Sequence, residues 1–243
     1  MSKRKVIYDF GSNNGDDLPY YLLKADFVVA VEANPVLTDK IKARFAEEIA
    51  GGRLAVENCV LSDVPSTDKV PFYVHKKNHV LSTFPRPSAE TVDQYQQIEL
   101  HPRTPSTIVE QHGDPYYIKV DIEHFDARIL RELFAASVKP PYISAEIHHA
   151  EVYGLLVAEP AYHSFKLVDG RSVNVKYANH TIETLSGPAT YPFPFHSAGP
   201  FGDDIEGPWL SADDMFRALC KSGLGWKDIH ARRDDTPPHI DLT

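Results

Sequence analysis

Two groups of residues in this sequence have the types and spacing to do chemistry together. The first is Asp9-Phe10-Gly11-Ser12-Asn13-Asn14-Gly15, followed further on by Glu32-Ala33-Asn34. Glycine lets a backbone pass close to a ligand and adopt conformations that other residues avoid. The pattern is Gly11-x-x-x-Gly15, not the tighter G-x-G-x-x-G of a dinucleotide loop, and Asp9 stands two residues before the first glycine. A carboxylate there would repel a pyrophosphate and suits a cationic or zwitterionic ligand. An acid at position 32 could accept both hydroxyls of a ribose, and Asn58 could reach an adenine edge. S-adenosylmethionine, with its sulfonium, its ammonium and its ribose, fits that set.

The second group is Asp121 and Glu123 with Glu146, His148 and His149. Methyl transfer to oxygen is an in-line displacement that needs an aligned acceptor and a base for the hydroxyl proton. Asp121, Glu123 or His148 could be that base; histidine has the better matched pKa, whereas a carboxylate would need help from burial. Simpler roles compete. Glu123 could cap a helix, the histidines could be exposed loop residues, and Gly11–Gly15 could be a plain turn. Asp121, Glu123, Glu146 and His148 are also acceptable ligands for a divalent ion. Their spacing is not diagnostic in the way H-E-x-x-H is, so a metal is not expected.

These residues have to be placed by an alternation of strands and helices. Lys5–Phe10, Phe27–Glu32 and Leu54–Leu61 read as strands, with helices over Leu18–Ala25 and from Pro35 to about Ala50, the latter closed by Gly51-Gly52. That β-α-β-α-β order implies parallel strands with right-handed crossovers and a ligand site outside their carboxyl ends. Lys69–His75 reads as an edge strand, and Lys76 to about Tyr95 as a long loop. A helix over Pro105–His112 leads into a strand at Tyr116–Val120, a helix over about Asp126–Ala136 and a strand at Tyr142–Ile147. Phe165–Val168 and Ser172–Tyr177 are shorter strand candidates, and Ser211 caps a helix reaching Cys220. After Gly187 the chain becomes rich in aromatics and proline. Residues 1–185 are therefore expected to form a cofactor-binding core and 186–243 an elaboration packed on it within a single domain. Phe84, Phe193, Phe195, His196, Phe201 and Trp209 could stack on an acceptor or form the core of that elaboration, and the last dozen residues read as a polar, loose tail.

Composition limits the alternatives. The 243 residues are 42% hydrophobic and 24% charged, as expected of a folded chain. A formal charge of −9 disfavours nucleic acid and anionic membrane surfaces as partners. The N-terminus has no signal-peptide run, and no segment approaches the ~20 apolar residues of a membrane span. Cys59 and Cys220 lack a CxxC partner and read as thiols, so the cytoplasm is the expected location.

Tyr8-Asp-Phe-Gly-Ser-Asn-Asn-Gly15, Val31-Glu-Ala-Asn-Pro35 and Tyr117-Ile-Lys-Val-Asp-Ile-Glu123 resemble three signature stretches of the FkbM family of S-adenosylmethionine-dependent methyltransferases. The similarity runs from about Val6 to Val168. It departs at His124, where the family usually has glycine, although Asp126 supplies the acid that follows. The resemblance implies an α/β, Rossmann-like class I methyltransferase sandwich, with a seven-stranded and mostly parallel sheet ending in an antiparallel hairpin. It also implies O-methylation of a hydroxyl on a small-molecule or glycan acceptor, a sugar or secondary metabolite. Two other readings share the same strand–loop–helix: a nicotinamide-dependent oxidoreductase, which should have the tighter glycine spacing, and a non-catalytic nucleoside-binding module.

Overall fold

Apolar runs alternate with helices through most of the chain. In the computed structural model, which describes residues 4–123 and 125–233 (and not the side chain of Val80), they become a layered α/β fold. His124 and residues 234–243 lie outside the described residues. The first half contributes β1 (Val6–Phe10), α1 (Leu18–Lys24), β2 (Phe27–Val31), α2 (Pro35–Arg44), α3 (Ala46–Ala50) and β3 (Leu54–Glu57). It is followed by α4 (Pro105–His112), β4 (Pro115–Val120), α5 (Asp126–Ala135), β5 (Tyr142–Glu146), α6 (Ala150–Ala158) and β6 (Tyr162–Asp169). The remainder adds α7 (Val173–Lys176), α8 (Ala212–Ser222) and β7 (Lys227–Arg233).

The seven strands lie in the order β6-β7-β5-β4-β1-β2-β3. Neighbours from β5 to β3 are parallel, and β7 slots antiparallel between β5 and β6. This is the class I methyltransferase sandwich. The sheet takes strands from both sides of residue 185, because Lys227–Arg233 supplies β7. Both faces are covered, as a parallel sheet requires. Tyr8, Phe10, Val29, Val31, Ile118 and Val120 pack with Ile129, Leu130 and Leu133 of α5 on one face. Ile7, Val28, Ala30 and Tyr117 pack with Leu18, Tyr21, Ile41 and Phe45 on the other.

Several local expectations are corrected. The helix expected to run from Pro35 to about Ala50 breaks at Phe45 (φ −115°, ψ 32°), which turns its buried ring inward beside Ile41. The third strand stops at Glu57, and Val60–Leu61 pairs instead with Pro102–Arg103. Val70–His75 pairs antiparallel with Tyr95–Leu100, a strand not expected from the sequence, and the long loop lies between them. Ser172–Tyr177 is helical, not extended. His180–Thr184 and Gly187–Tyr191 form a hairpin. Ser211 does cap α8, accepting from the Asp214 N–H at 3.2 Å. No helix among the described residues is long and apolar enough to cross a membrane.

The C-terminal third is tied to the core through α1. Asp204 accepts from the Tyr20 hydroxyl at 2.7 Å and from Lys24 Nζ, and Phe201 stacks on Tyr117 at 4.0 Å. Phe193 and Phe201 are buried core residues, so they are not available to a ligand. Both the Lys166 ammonium and the Arg232 guanidinium lie over the Trp209 ring, whose indole N–H is donated to Asp203 at 2.8 Å.

Candidate active site

The carboxyl ends of β1, β2 and β4 are drawn together by backbone contacts. Gly11 N and Ser12 N both donate to the Val31 carbonyl at 3.0 Å, while Asp121 N donates to the Phe10 carbonyl at 2.9 Å. A Cβ on Gly11 would sit 1.8 Å from the Asp121 carbonyl oxygen, and its φ is +91°. The first glycine is therefore required by the approach of β4 as well as by any ligand. Asn13 follows with φ 48°, a left-handed conformation that asparagine tolerates better than most residues. Its N–H donates to Glu32 Oε2 at 2.9 Å, and the Asn34 N–H donates to Oε1 at 2.6 Å. The Glu32 carboxylate thus braces the loop after β1 against the loop after β2.

A cleft of about 630 Å³ opens at this junction. Gly11, Ser12, Asn13, Asn14, Glu32, Ala33, Asp121, Glu123, Glu146 and His148 all line it, so most of both groups expected from the sequence meet in one place. Leu37, Leu61, Phe72, Phe84 and Phe125 supply an apolar wall, as ligand pockets commonly have.

Other expected residues stand behind the surface. Asp9 is 1% exposed and its carboxylate lies 3.5 Å from Lys119 Nζ, because β1 and β4 pair Asp9 with Lys119. Its charge is answered inside the protein, and it is not a cleft wall. Phe10 is wholly buried core. Gly15 (φ +78°) packs against Leu18, Ile41 and Phe45. Asn34 is the N-cap of α2, accepting from the Val36 N–H at 3.1 Å. Asn58 donates its amide to the Glu32 and Ala33 carbonyls at 2.9 and 3.0 Å, which fixes the β2 loop and does not present that amide to an adenine. His149 is exposed and lies outside the cleft lining.

Acids dominate the electrostatics. Lys119 is buried and reaches Asp121 at 3.0 Å, Asp9 at 3.5 Å and Asp17 at 4.0 Å. These carboxylates hold its ammonium well above the usual lysine range in spite of burial. One cation does not neutralise the rest. Burial pushes Glu32 and Glu123 up to about 7, with Asp9 and Asp121 respectively adding repulsion, and pushes Asp17 to about 6. Asp126 rises to about 7 from burial and from Asp121, although it accepts from the Ile122 N–H at 3.1 Å. That bond makes Asp126, not Glu123, the brace of the loop before α5. Glu123 sits at φ 49°, strain held at the cleft wall.

These shifts carry a sign. Carboxyls whose folded pKa lies above the unfolded value of about 4 favour the fold below pH 4, and that contribution is lost as pH rises through their folded values. The ligand-free protein is expected to melt at a higher temperature at pH 5 than at pH 8, because Asp17, Glu32, Glu123 and Asp126 ionise in between. Calorimetric melts across that range check this; a melting temperature that climbs towards pH 8 would contradict it.

At the end of β5, His148 Nε2 lies 2.8 Å from Glu146 Oε2. Glu146 is 6% exposed, and burial with Asp121, Asp228 and Glu123 nearby pushes its carboxyl strongly up. The Glu146 carboxyl is thus the partner of the His148 ring at the cleft wall. Among the described residues, no three His, Cys, Asp or Glu are arranged to hold a metal ion, so Asp121, Glu123, Glu146 and His148 line one wall without forming a ligand set. A nucleoside fits the cleft better. Its loop keeps a buried, unpartnered Asn13 Oδ1 beside the Glu32 carboxylate, and its lining is acidic.

Some cleft residues had no clear sequence signal. Lys119 sits inside the Tyr-Ile-Lys-Val-Asp run but reads there as an ordinary strand residue. Asp17, expected at the start of α1, also lines the cleft and binds the distant Ser197 and Ala198. Trp226 enters from the segment after α8, for which the sequence shows no motif.

The sequence model of the methyltransferase FkbM domain matches residues 9–167. A search of curated proteins finds no match. Among solved structures, a methyltransferase FkbM from Methylobacillus flagellatus aligns with 17% identity and a TM-score of 0.45, over 68% of this chain and 40% of that one. A SAM-dependent O-methyltransferase from Thermotoga maritima aligns with 7% identity and a TM-score of 0.42, over 96% and 60%. A tRNA (m1A58) methyltransferase from Aquifex aeolicus gives 10% identity and a TM-score of 0.40, over 94% and 62%. The chain thus spans about two fifths to three fifths of the length of these proteins.

Proposed function

Because this chain belongs to the FkbM methyltransferase family, we propose that it transfers a methyl group from S-adenosylmethionine to a hydroxyl oxygen of a glycosyl or secondary-metabolite acceptor. One observation carries the proposal. The loop Gly11–Asn14, the Glu32-Ala33 pair and Asp121–Glu123 converge on the same cleft as the His148–Glu146 pair. The glycine spacing and the acidic lining favour a sulfonium nucleoside over a nicotinamide dinucleotide.

Glu32 would hold the ribose hydroxyls, with the Asn13 and Asn34 N–H groups keeping its carboxylate in place. Asn13 and Asn14 offer polar groups from the β1 loop, and Asp121 and Glu123 place negative charge where the ligand is cationic. Leu61, Phe72, Phe84 and Phe125 exclude water from one side of the cleft. Bound there, S-adenosylmethionine supplies an electrophilic methyl carbon and departs as a neutral thioether. His148, oriented by Glu146, accepts the hydroxyl proton as the acceptor oxygen forms its new bond to carbon. Asp121 is less suited to that task, because its carboxylate is already paired with Lys119 at 3.0 Å.

Calorimetric titration with S-adenosylmethionine, S-adenosylhomocysteine and NAD tests the cofactor. Both sulfur nucleosides should bind and NAD should not; heat from NAD alone would overturn the proposal. Glu32→Gln removes a charged acceptor and is expected to weaken both nucleosides by about 10- to 100-fold. Equal affinity in that variant would mean that Glu32 only braces the loops. For the wild type, affinity for S-adenosylmethionine should rise about tenfold from pH 6 to pH 8 as Glu32 and Glu123 ionise. S-adenosylhomocysteine, without the sulfonium, should respond less.

A further inference from the structure

Trp226 belongs to no element that binds the nucleoside, yet it is held against the catalytic end of the sheet. Ile147, which lies between Glu146 and His148, donates its N–H to the Lys227 carbonyl at 2.8 Å and accepts from Gly225 N at 3.1 Å. The residue flanked by Gly225 and Lys227 is thereby clamped beside the proton-accepting pair. A second contact fixes the ring. Gly170 N donates to the Trp226 carbonyl at 3.1 Å, and a Cβ on Gly170 would lie 2.4 Å from the indole Nε1. Gly170 has no left-handed φ to explain it; the space it leaves is filled by the indole. The His196 ring lies roughly parallel to Trp226 at 6.3 Å (27°), and Phe195 meets it edge-on at 5.6 Å (82°). Asp17 anchors the adjoining turn by accepting from the Ser197 hydroxyl and from the Ala198 N–H at 3.1 Å.

We propose that Trp226, seated on Gly170 and flanked by His196, is the stacking floor of an acceptor subsite that takes an uncharged, hydroxylated ring and rejects anionic ones. This deepens the methyltransferase proposal above and rests on it. An indole face gains from covering the apolar face of a ring, while the ring's hydroxyls reach neighbouring acceptors. Charge supplies the selectivity. Asp16, Asp17, Asp121, Glu123 and Glu146 line the cleft, and Lys119 is already paired with Asp121. A phosphate or carboxylate on the acceptor would enter that acidic lining, where Lys119 is the one lysine or arginine among the described residues and is already engaged. The clamp through Ile147 ties Trp226 to the chain segment that carries Glu146 and His148, and both Trp226 and His148 line the cleft, so Trp226 acts as a specificity-determining residue, and Gly170 as a positioning residue acting through it.

Saturation-transfer NMR on the full chain, with saturating S-adenosylhomocysteine, tests this with matched probes. The neutral set is methyl glucoside, methyl galactoside and catechol; the charged set is glucuronate, glucose 6-phosphate and 3,4-dihydroxybenzoate. At least one neutral ring is expected to bind, and its charged counterpart at least tenfold more weakly. Trp226→Ala should abolish that binding, Trp226→Tyr should keep it, and Gly170→Ala should weaken it by displacing the indole. All three variants should retain wild-type affinity for S-adenosylhomocysteine, which shows that they fold. Equal binding of the charged counterparts, neutral binding that survives Trp226→Ala, or no neutral ring bound by protein that does bind S-adenosylhomocysteine would overturn the inference. Loss of S-adenosylhomocysteine binding by the wild type would instead overturn the cofactor proposal.

Discussion

Lys119→Met is expected to destabilise the protein strongly at pH 8 and far less at pH 5. The ammonium is 3% exposed and answers Asp9, Asp17 and Asp121 at once. Removing one partner from a buried ionic cluster costs about 3–5 kcal/mol, because the remaining charges stay uncompensated. That is a large share of a typical total of about 5–15 kcal/mol. The pH dependence identifies the cause. Burial raises Asp9 and Asp17 even with the lysine in place, and without it both go higher. Asp17, at about 6 with the lysine present, is then protonated at pH 5 and needs no counter-charge, whereas at pH 8 it must ionise in an apolar setting. Urea titrations of the variant and the wild type at the two pH values measure the difference. A loss below about 1 kcal/mol at pH 8 would mean that water reaches the cluster.

The largest effect on turnover is expected at His148. With an acceptor in hand, His148→Gln should lower kcat by about 10²- to 10⁴-fold, the usual contribution of a general base. Affinity for S-adenosylmethionine should be unchanged, since the residue sits at the end of β5, away from the β1 and β2 loops. Glu146→Gln should give a smaller loss, as it disturbs the orientation of the base and leaves the imidazole. A fall of less than tenfold in His148→Gln would assign the acceleration to positioning, with the proton lost to solvent.

What the sequence made legible follows from where its pattern is local. The strand–loop–helix signals up to Tyr142–Glu146 are short apolar runs bounded by glycine, proline and acids, and the structure places them as expected apart from the break at Phe45 and the early end of the third strand at Glu57. Elements were hidden where tertiary context overrides composition. β7 puts Lys227, Asp228 and His230 into the interior, so an inner strand of the sheet shows no apolar run in the sequence. α6 is apolar on most sides, with Gly154 in its middle, and shows little amphipathic period. The stretch 172–177 is rich in valine and tyrosine yet is helical, because a short turn brings Val173 into the core beside Gly199.

The site shows the same division. The ends of β1, β2 and β4 could be assigned to one cleft from strand order alone. The part played by Asp9 could not, because strand register, not spacing, turns it towards Lys119. Asn58 likewise looks like a ligand contact in sequence and is a backbone brace in space. The aromatic segment divides between core and cleft: Phe193 and Phe201 are buried, whereas Phe84 and His196 reach the cleft.

The central claim is that the cleft between Gly11–Asn14 and Glu32 holds the sulfur nucleoside with its reactive end towards the His148–Glu146 pair. A crystal structure of the full chain with S-adenosylhomocysteine tests it most directly. The ribose hydroxyls are expected on the Glu32 carboxylate, and the sulfur is expected to face Asp121, Glu146 and His148. Nucleoside bound elsewhere on the protein, or bound in the cleft with its ribose away from Glu32, would contradict the claim.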